Sequence, residues 1–172
     1  VEKLADFKIG IGVFDLVLGK TIVYNKYEGF RLGLGVYTNE KLFEKVSFGG
    51  FAGYGLRDHK WKYGVEIIYT ISKENELKIG AKYQNNLMEV GNYGLNADMQ
   101  NLLNFRNFQG YMMDNIKQTS VNIEARSFRF LKWKMTVTQS QNTPLYPTGF
   151  DDNYTFFTDY NDSHLRLDFR FG

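Results

Sequence analysis

The sequence has no cysteine, and only two of its 172 residues are proline. Without cysteine the chain cannot form disulfides, thiolate metal sites or a cysteine nucleophile. Both prolines, Pro144 and Pro147, lie in one segment. The rest of the chain is therefore free of the residue that cannot donate a backbone hydrogen bond to a sheet, and long strands are possible over most of its length.

Long apolar runs and a large excess of one charge are also missing. A membrane-spanning helix needs about 20 consecutive apolar residues, and even the short apolar stretch at 65–69 is interrupted by Glu66. The formal net charge is only +2, whereas a nucleic-acid-binding surface needs a strongly basic stripe. A helical membrane protein and a nucleic-acid-binding protein are therefore both disfavoured.

Aromatic residues and glycine are abundant. The chain contains 12 tyrosines, 15 phenylalanines and 17 glycines. Aromatic side chains suit the pleated surface of a β-sheet, so the composition predicts an all-β domain.

Period-two alternation of apolar and polar residues organises most of the chain. From Trp61 to Ile71 every odd-numbered residue is apolar, while Lys62, Gly64 and Glu66 lie on the opposite face. The same pattern recurs at 28–37, 76–84, 121–126, 133–138 and 165–171, and more softly at 43–56. With one or two further strands at 7–13 and 18–24, the pattern predicts seven clear strands and up to nine in all.

The connections between the clear strands differ in length in a regular way. The links after the first, third and fifth are short (38–42, 73–75 and 129–132), whereas those after the fourth and sixth are long (about 85–118 and 141–162). In an up-and-down meander both long links fall at one end, as in outer-membrane barrels. The sequence therefore predicts a single domain over 1–172, an antiparallel up-and-down transmembrane β-barrel of about eight strands. It could also be part of a larger barrel. Asn96 could begin a short helix inside the first long link.

The two faces of the predicted strands differ in polarity. The polar face carries charges of both signs that we expect to face a lumen, where they can pair: Arg31, Lys62, Glu66, Lys78, Lys82, Glu124, Arg126, Arg166, Asp168 and Arg170. Aromatic residues near strand ends on the apolar face are expected to form girdles at the level of the lipid headgroups: Tyr54, Trp61, Tyr63, Tyr83 and Trp133. A soluble β-barrel that binds a small apolar ligand in its core would alternate in the same way, and is the alternative.

Three groups of motifs lie within residues 24–64. They are Tyr24-Asn25-Lys26-Tyr27-Glu28-Gly29-Phe30-Arg31-Leu32-Gly33-Leu34-Gly35 with Thr38-Asn39, then Gly53-Tyr54-Gly55-Leu56-Arg57-Asp58, then Trp61-Lys62-Tyr63-Gly64. This segment resembles the C-terminal barrel of a family of Gram-negative outer-membrane proteins of unassigned function that carry an N-terminal carboxypeptidase-like regulatory domain. That barrel is similar to the surface-antigen superfamily, which includes the outer-membrane assembly factors.

The resemblance implies an outer-membrane location with lipid around the barrel. It also implies a non-enzymatic role in envelope biogenesis, assembly or transport, and a chain that is part of a longer protein. Alternatively, Phe169 and Phe171 could lie in the terminal strand of a complete eight-stranded barrel. The long links are the expected contacts with other envelope proteins.

Few residues form a pattern typical of catalysis or metal binding. Asp58 and His59 are adjacent, but no serine in a nucleophile-elbow context accompanies them, and a solvated turn is the favoured interpretation. The predicted link 141–162 contains four aspartates without the spacing of a calcium-binding loop: Asp151, Asp152, Asp159 and Asp162. We therefore expect no catalytic residue, no metal and no cofactor.

Overall fold

The computed structural model describes residues 8–17, 22–90, 112–145 and 159–171. These residues form ten β-strands joined by turns: β1 (Lys8–Ile11), β2 (Phe14–Val17), β3 (Ile22–Asn25), β4 (Gly29–Thr38), β5 (Val46–Gly55), β6 (Trp61–Ser72), β7 (Leu77–Glu89), β8 (Met113–Ser127), β9 (Leu131–Pro144) and β10 (Tyr160–Phe171). The all-β prediction is confirmed, although about eight strands were expected. Within these ranges the chain contains no helix of the length and apolarity that crossing a membrane would require.

The additional strands come from the N-terminal part of the chain. Gly12 has a φ of +65°, a backbone conformation that glycine adopts without steric penalty. The chain reverses direction there, so the alternation at 7–13 is divided between β1 and the turn before β2. Both β2 and β3 pair with β4, β2 along residues 35–38 and β3 along residues 29–32. Together they form one interrupted strand beside β4.

All ten strands belong to one antiparallel sheet in the order β1-β2-β4-β5-β6-β7-β8-β9-β10, with β3 also on β4. The predicted meander is therefore confirmed for β4 to β10. Among the described residues β10 pairs only with β9, and β1 pairs only with β2, so the sheet is open. An unbroken row of paired residues crosses seven strands: Gly35, Phe51, Gly64, Gln84, Gln118, Ser140 and Asp162.

The two ends of the sheet have different connections. The turns 39–45, 73–76 and 128–130 lie at one end, which we call the short-turn end. The turns 26–28 and 56–60 lie at the other end, where both long links also begin and finish, and which we call the long-link end. Both long links are shorter than predicted, because β7 continues to Glu89, β8 begins at Met113 and β10 begins at Tyr160. The helix predicted at Asn96 lies outside the described residues.

The backbones of β4 and β5 approach closely at Gly33. A Cβ atom added to Gly33 would lie 2.5 Å from the carbonyl oxygen of Ala52 and 2.8 Å from the Cα of Gly53. These neighbours are backbone atoms of the paired strand, so they cannot move aside as a flexible side chain would. Gly33 is therefore required by the packing of two strands rather than by an unusual φ angle.

We expect Gly33→Ala to lower the free energy of unfolding by about 1–3 kcal/mol, the typical penalty for overpacking. The measurement is equilibrium unfolding in urea of the full chain in detergent micelles. Gly10→Ala is the matched control, because its Cβ would meet only the side chain of Asp15, at 3.5 Å. Equal stability of the two variants would contradict the close approach of β4 and β5.

Candidate functional site

Most of the buried side chains among the described residues are polar, and many large apolar side chains are exposed. The buried apolar residues are Val17, Leu87, Met88, Met113, Ile116 and Ala125. The buried polar residues are Asn25, Glu28, Arg31, Lys62, Gln84, Asn86, Asp114, Ser120, Thr138, Ser140 and Asn142. Exposed apolar residues alternate with them along the strands, including Phe30, Leu32, Leu34, Trp61, Val65, Ile67, Val121, Val137, Leu165 and Leu167. In water-soluble proteins charged residues are almost never fully buried, and large exposed apolar patches are unusual.

Side chains on the polar face link strands that are not neighbours. Arg31 on β4 donates to Asn86 on β7, with Nη1 2.6 Å from Oδ1. Tyr160 on β10 donates to Asp114 on β8, with its hydroxyl 2.5 Å from Oδ2. Neighbouring strands lie about 4.8 Å apart, so a flat sheet would place β4 and β7 roughly 14 Å apart. The sheet therefore curls toward this side, which we call the concave polar face.

A turn at the long-link end positions the first buried carboxylate. Asn25 Oδ1 accepts hydrogen bonds from the backbone N–H groups of Tyr27 (3.0 Å) and Glu28 (2.8 Å), an arrangement typical of asparagine in turns. Asn25 Nδ2 also donates to Glu28 Oε2 at 2.6 Å. Gly29 follows with a φ of +64° and starts β4. The turn thus holds the Glu28 carboxylate against the concave polar face.

Two cations and two carboxylates meet beside this turn, and we call Glu28, Arg31, Asp58 and Lys62 the buried charge cluster. Glu28 Oε1 lies 3.4 Å from Arg31 Nη1 and 3.9 Å from Lys62 Nζ. Lys62 Nζ donates to Asp58 Oδ2 at 3.1 Å. Glu28 is 0% exposed and Lys62 only 1%. Charges so deeply buried persist only when they are paired, and this pairing is structural.

The register places all ten predicted lumen residues on the concave polar face, though at different depths. Arg31 and Lys62 are buried, Arg170 is exposed, and the other seven are half-buried. Charges of opposite sign follow one another across the strands in the row Lys78, Glu124, Lys134 and Asp168. Two further local contacts are Tyr37 with Glu66 (3.3 Å) and Arg166 with Asp168 (2.7 Å). Arg166 and Asp168 are the two predicted lumen residues with an ion pair to each other among the described contacts, so the expected mutual pairing of the ten charges stays a prediction.

A second ionic group ties the strands together at the short-turn end. Glu76, in the turn before β7, forms ion pairs with Arg126 at 2.7 Å and with Lys132. The backbone N–H of Arg126 also donates to the carbonyl of Asn75 at 2.7 Å. The hydrogen bond from Lys132 is the main cause that lowers the pKa of Glu76. Partial desolvation acts in the opposite direction, and Arg126 lowers the pKa further.

The predicted girdle residues divide unequally between the two ends of the apolar face. Tyr54 and Trp61 lie at the long-link end with ring centroids 5.3 Å apart, and Tyr63 lies 6.3 Å from Tyr83 beside them. Trp133 lies toward the short-turn end, where its Nε1 donates to Ser127 at 3.1 Å. The girdle prediction left out these exposed aromatic residues at that end: Phe43, Phe48, Phe128, Phe130, Phe169 and Phe171. Their positions near strand ends were the available signal.

Sequence reasoning also missed several members of the polar interior. Asn86 and Asp114 were assigned to the link 85–118, because the polar residues Asn85 and Asn86 hide the alternation there. Asp58 was interpreted as a solvated turn residue, but it accepts a hydrogen bond from buried Lys62. His59 instead lies 3.4 Å from the hydroxyl of Tyr54, so the two neighbours have different partners.

Two of the aspartates considered as calcium ligands, Asp159 and Asp162, are described by the structure and have different partners. Asp151 and Asp152 lie outside the described residues. Asp159 accepts from Thr143 at 2.6 Å, while Asp162 lies 3.3 Å from the Nδ1 atom of His164. Over the part of the chain that the structure describes, no three histidine, aspartate or glutamate residues are placed to hold one metal ion.

No protein-family model, curated protein or solved structure matches this chain. The family resemblance of residues 24–64 therefore stays a prediction. Glu28, Arg31, Asp58 and Lys62 all belong to the segment that carries it, so its motifs coincide with the buried charge cluster.

We expect Lys62→Met to lower the free energy of unfolding by about 3–5 kcal/mol, because it leaves the buried Glu28 carboxylate and the half-buried Asp58 carboxylate without their ammonium partner. Urea unfolding of the full chain in detergent micelles measures the loss. Asp168→Asn is the control, since its half-exposed pair with Arg166 should contribute about 1 kcal/mol or less. The double variant Glu28→Gln/Lys62→Met should recover part of the loss, and strict additivity would contradict the cluster.

We expect Glu76 to stabilise the fold in a pH-dependent way. Its pKa is lowered in the folded state, so its contribution is complete above the unfolded-state value of about 4.3 and is lost as the pH falls through the folded pKa. Glu76→Gln should therefore lower stability at pH 7 and flatten its fall in acid. Unfolding curves from pH 7 to pH 3 test this. Glu74→Gln, in the same turn, should leave the profile unchanged, and an equal effect of the two variants would refute the assignment.

Proposed function

We propose that this chain forms an integral outer-membrane β-barrel, or part of one, that has no catalytic role. The observation that carries the proposal is the apolar face, exposed along every strand from β4 to β6 and again on β10, over a sheet whose buried face is charged. Lipid is the medium in which such an exterior is favourable, and a polar interior facing away from lipid is typical of transmembrane barrels.

A bilayer location requires the open sheet to be completed. Unpaired backbone groups in hydrocarbon cost several kcal/mol each, so lipid-exposed edges such as that of β10 do not occur there. Asp114 accepts a hydrogen bond from Tyr160, the first residue of β10. Tyr27 lies in the turn after β3, and its pKa is raised mainly by desolvation. The second cause that raises it is the negative charge of this same Asp114 carboxylate. The β3 and β10 edges thus both approach Asp114, which supports closure between them.

The direction of the strands fits such a closure. β3 and β10 lie seven steps apart along the sheet and therefore run antiparallel. If β2 and β3 count as one interrupted strand, the strands from there to β10 number eight, and bacterial single-chain barrels have even numbers of strands. β1 lies on β2, beside this seam.

A soluble barrel with an apolar ligand in its core finds little support in the concave polar face. Besides the buried charge cluster, this face holds Asn142, which is 0% exposed and whose Oδ1 and Nδ2 atoms have no hydrogen-bond partner among the described residues. Within the same part of the chain, Ser140 Oγ on β9 also lacks a partner. Such groups suit contact with water rather than with a hydrocarbon ligand.

The cellular role that we propose is envelope biogenesis, assembly or transport. It rests on the resemblance of residues 24–64, and the long-link end is the side on which we place contacts with other envelope proteins. Oppositely charged neighbours on the concave polar face suit a structural interior rather than a conduit that selects ions of one sign.

The experiment that tests the membrane proposal is fractionation of the full chain, expressed with an export signal and extracted with carbonate and with urea. We expect it to stay in the outer-membrane pellet and to show heat-modifiable migration on gels. Release into the soluble fraction would overturn the proposal.

Leu34→Arg, in the same experiment, tests which medium the apolar face meets. Leu34 is 49% exposed in the middle of β4. Arginine near the bilayer midplane costs about 2–4 kcal/mol, whereas a substitution on a water-exposed surface stays within about 0.5 kcal/mol. We therefore expect a marked loss of the folded, heat-modifiable band from the outer-membrane pellet, with Leu34→Met as the control. An unchanged Leu34→Arg variant would place this face in water.

A further inference from the structure

The turn between β8 and β9 exposes two phenylalanines around an arginine. Phe128 is 78% exposed and Phe130 is 56% exposed. Their rings stack with centroids 6.3 Å apart and an interplanar angle of 27°. Arg129 is exposed between them. Both phenylalanine side chains of this turn are thus exposed and do not pack against the sheet.

The backbone of this turn does not favour the residues that occupy it. Phe128 has a φ of 56° and Arg129 a φ of 57°, in the left-handed region that glycine and asparagine adopt more readily. Three-residue hairpin loops commonly place glycine at such a position. Two consecutive bulky residues are therefore retained against a local conformational penalty, which points to a use for their side chains outside the fold.

The neighbouring strand ends extend this surface. Phe171 is 77% exposed at the end of β10 and pairs with Leu131 at the start of β9. On the concave side, Arg126, Lys132 and Arg170 follow one another across β8, β9 and β10. We call the set Phe128, Arg129, Phe130, Arg170 and Phe171 the aromatic-basic patch.

Positive charge is in excess at this part of the short-turn end. Three cations lie in or beside the β8–β9 turn, namely Arg126, Arg129 and Lys132, and the Glu76 carboxylate forms ion pairs with Arg126 and Lys132. The turn 39–45 at the same end instead carries two lysines and two glutamates, and the turn 73–76 carries one lysine and two glutamates. Excess positive charge is thus confined to the aromatic-basic patch and its immediate neighbours.

We propose that the aromatic-basic patch docks on the phosphate headgroups of anionic phospholipids at the membrane surface on the short-turn side. The inference rests on the proposed membrane location. A guanidinium binds phosphate through paired hydrogen bonds. Aromatic rings favour the boundary between headgroups and acyl chains, and basic residues near a membrane surface are attracted to anionic lipids. The patch combines all three features at the rim of the exposed apolar face.

The test compares folding of the full chain into vesicles of dilauroyl phosphatidylcholine with folding into vesicles containing four parts of that lipid to one part of dilauroyl phosphatidylglycerol. The folded fraction is read from the heat-modifiable gel shift. At low salt we expect the wild type to fold several-fold faster in the anionic vesicles. The preference should vanish at about 1 M salt, where the screening length falls to roughly 3 Å.

The decisive variant is Phe128→Asn/Arg129→Gly, which installs the residues that the backbone of the turn favours. It should fold at least as well as the wild type in neutral vesicles, because the backbone strain is relieved. Its preference for anionic vesicles should be roughly five-fold smaller than that of the wild type. This change corresponds to the loss of about 1 kcal/mol, the contribution of one basic residue near a charged surface. Lys73→Gln, which removes an exposed cation from another turn at the same end, should keep the preference.

The outcomes separate this inference from the proposed function. Equal folding of the wild type in both kinds of vesicle, or an undiminished preference in the double variant, would overturn headgroup docking and leave the membrane location standing. Failure of the wild type to fold into either kind of vesicle would overturn both proposals.

Discussion

Lys62 pairs with Glu28 and Asp58 on the concave polar face, and much of the surrounding structure depends on that pairing. A Cβ on Gly55 would lie 2.1 Å from Asp58 Oδ1, and one on Gly53 would lie 3.1 Å from the Arg31 side chain. Glycine at both positions therefore leaves room for the cluster. The Asn25 turn, the first residues of β4 and the β5–β6 turn all converge on these few atoms, which ties the β3–β4 and β5–β6 hairpins together at the long-link end.

Alternation was sufficient to predict β4 to β10 and the face on which the ten predicted lumen residues lie, because the two-residue period is a property of the strand itself. It failed where that period was hidden or locally broken. Asn85 and Asn86 are both polar, so the end of β7 was interpreted as a link, and the positive φ of Gly12 divided one expected strand. The contacts that the buried charge cluster makes across the sheet could not be predicted, because a contact such as that of Arg31 with Asn86 depends on the curvature of four strands.

On both faces of the sheet, the polarity is the reverse of that in a water-soluble domain. An apolar exterior and a charged interior are each unfavourable in a water-soluble domain, yet together they match a sheet with lipid on one side and a polar interior on the other. The charged residues are arranged for neutrality, as in the row from Lys78 to Asp168. The excess positive charge at the β8–β9 turn is the departure from that arrangement, and it lies at the rim of the sheet.

The unbroken row from Gly35 to Asp162 also sets the inclination of the strands. Beyond this row β4 continues for three residues, to Thr38, whereas β9 begins nine residues away from it, at Leu131. With the turns of the short-turn end level, the row climbs by six residues, about 20 Å, while crossing five strand spacings, about 24 Å. The strands are then inclined by about 40°, within the range of closed barrels. At that inclination the apolar run from Trp61 to Ile71 on β6, about 33 Å along the strand, stands about 25 Å tall, which is the height of the apolar band on known transmembrane barrels.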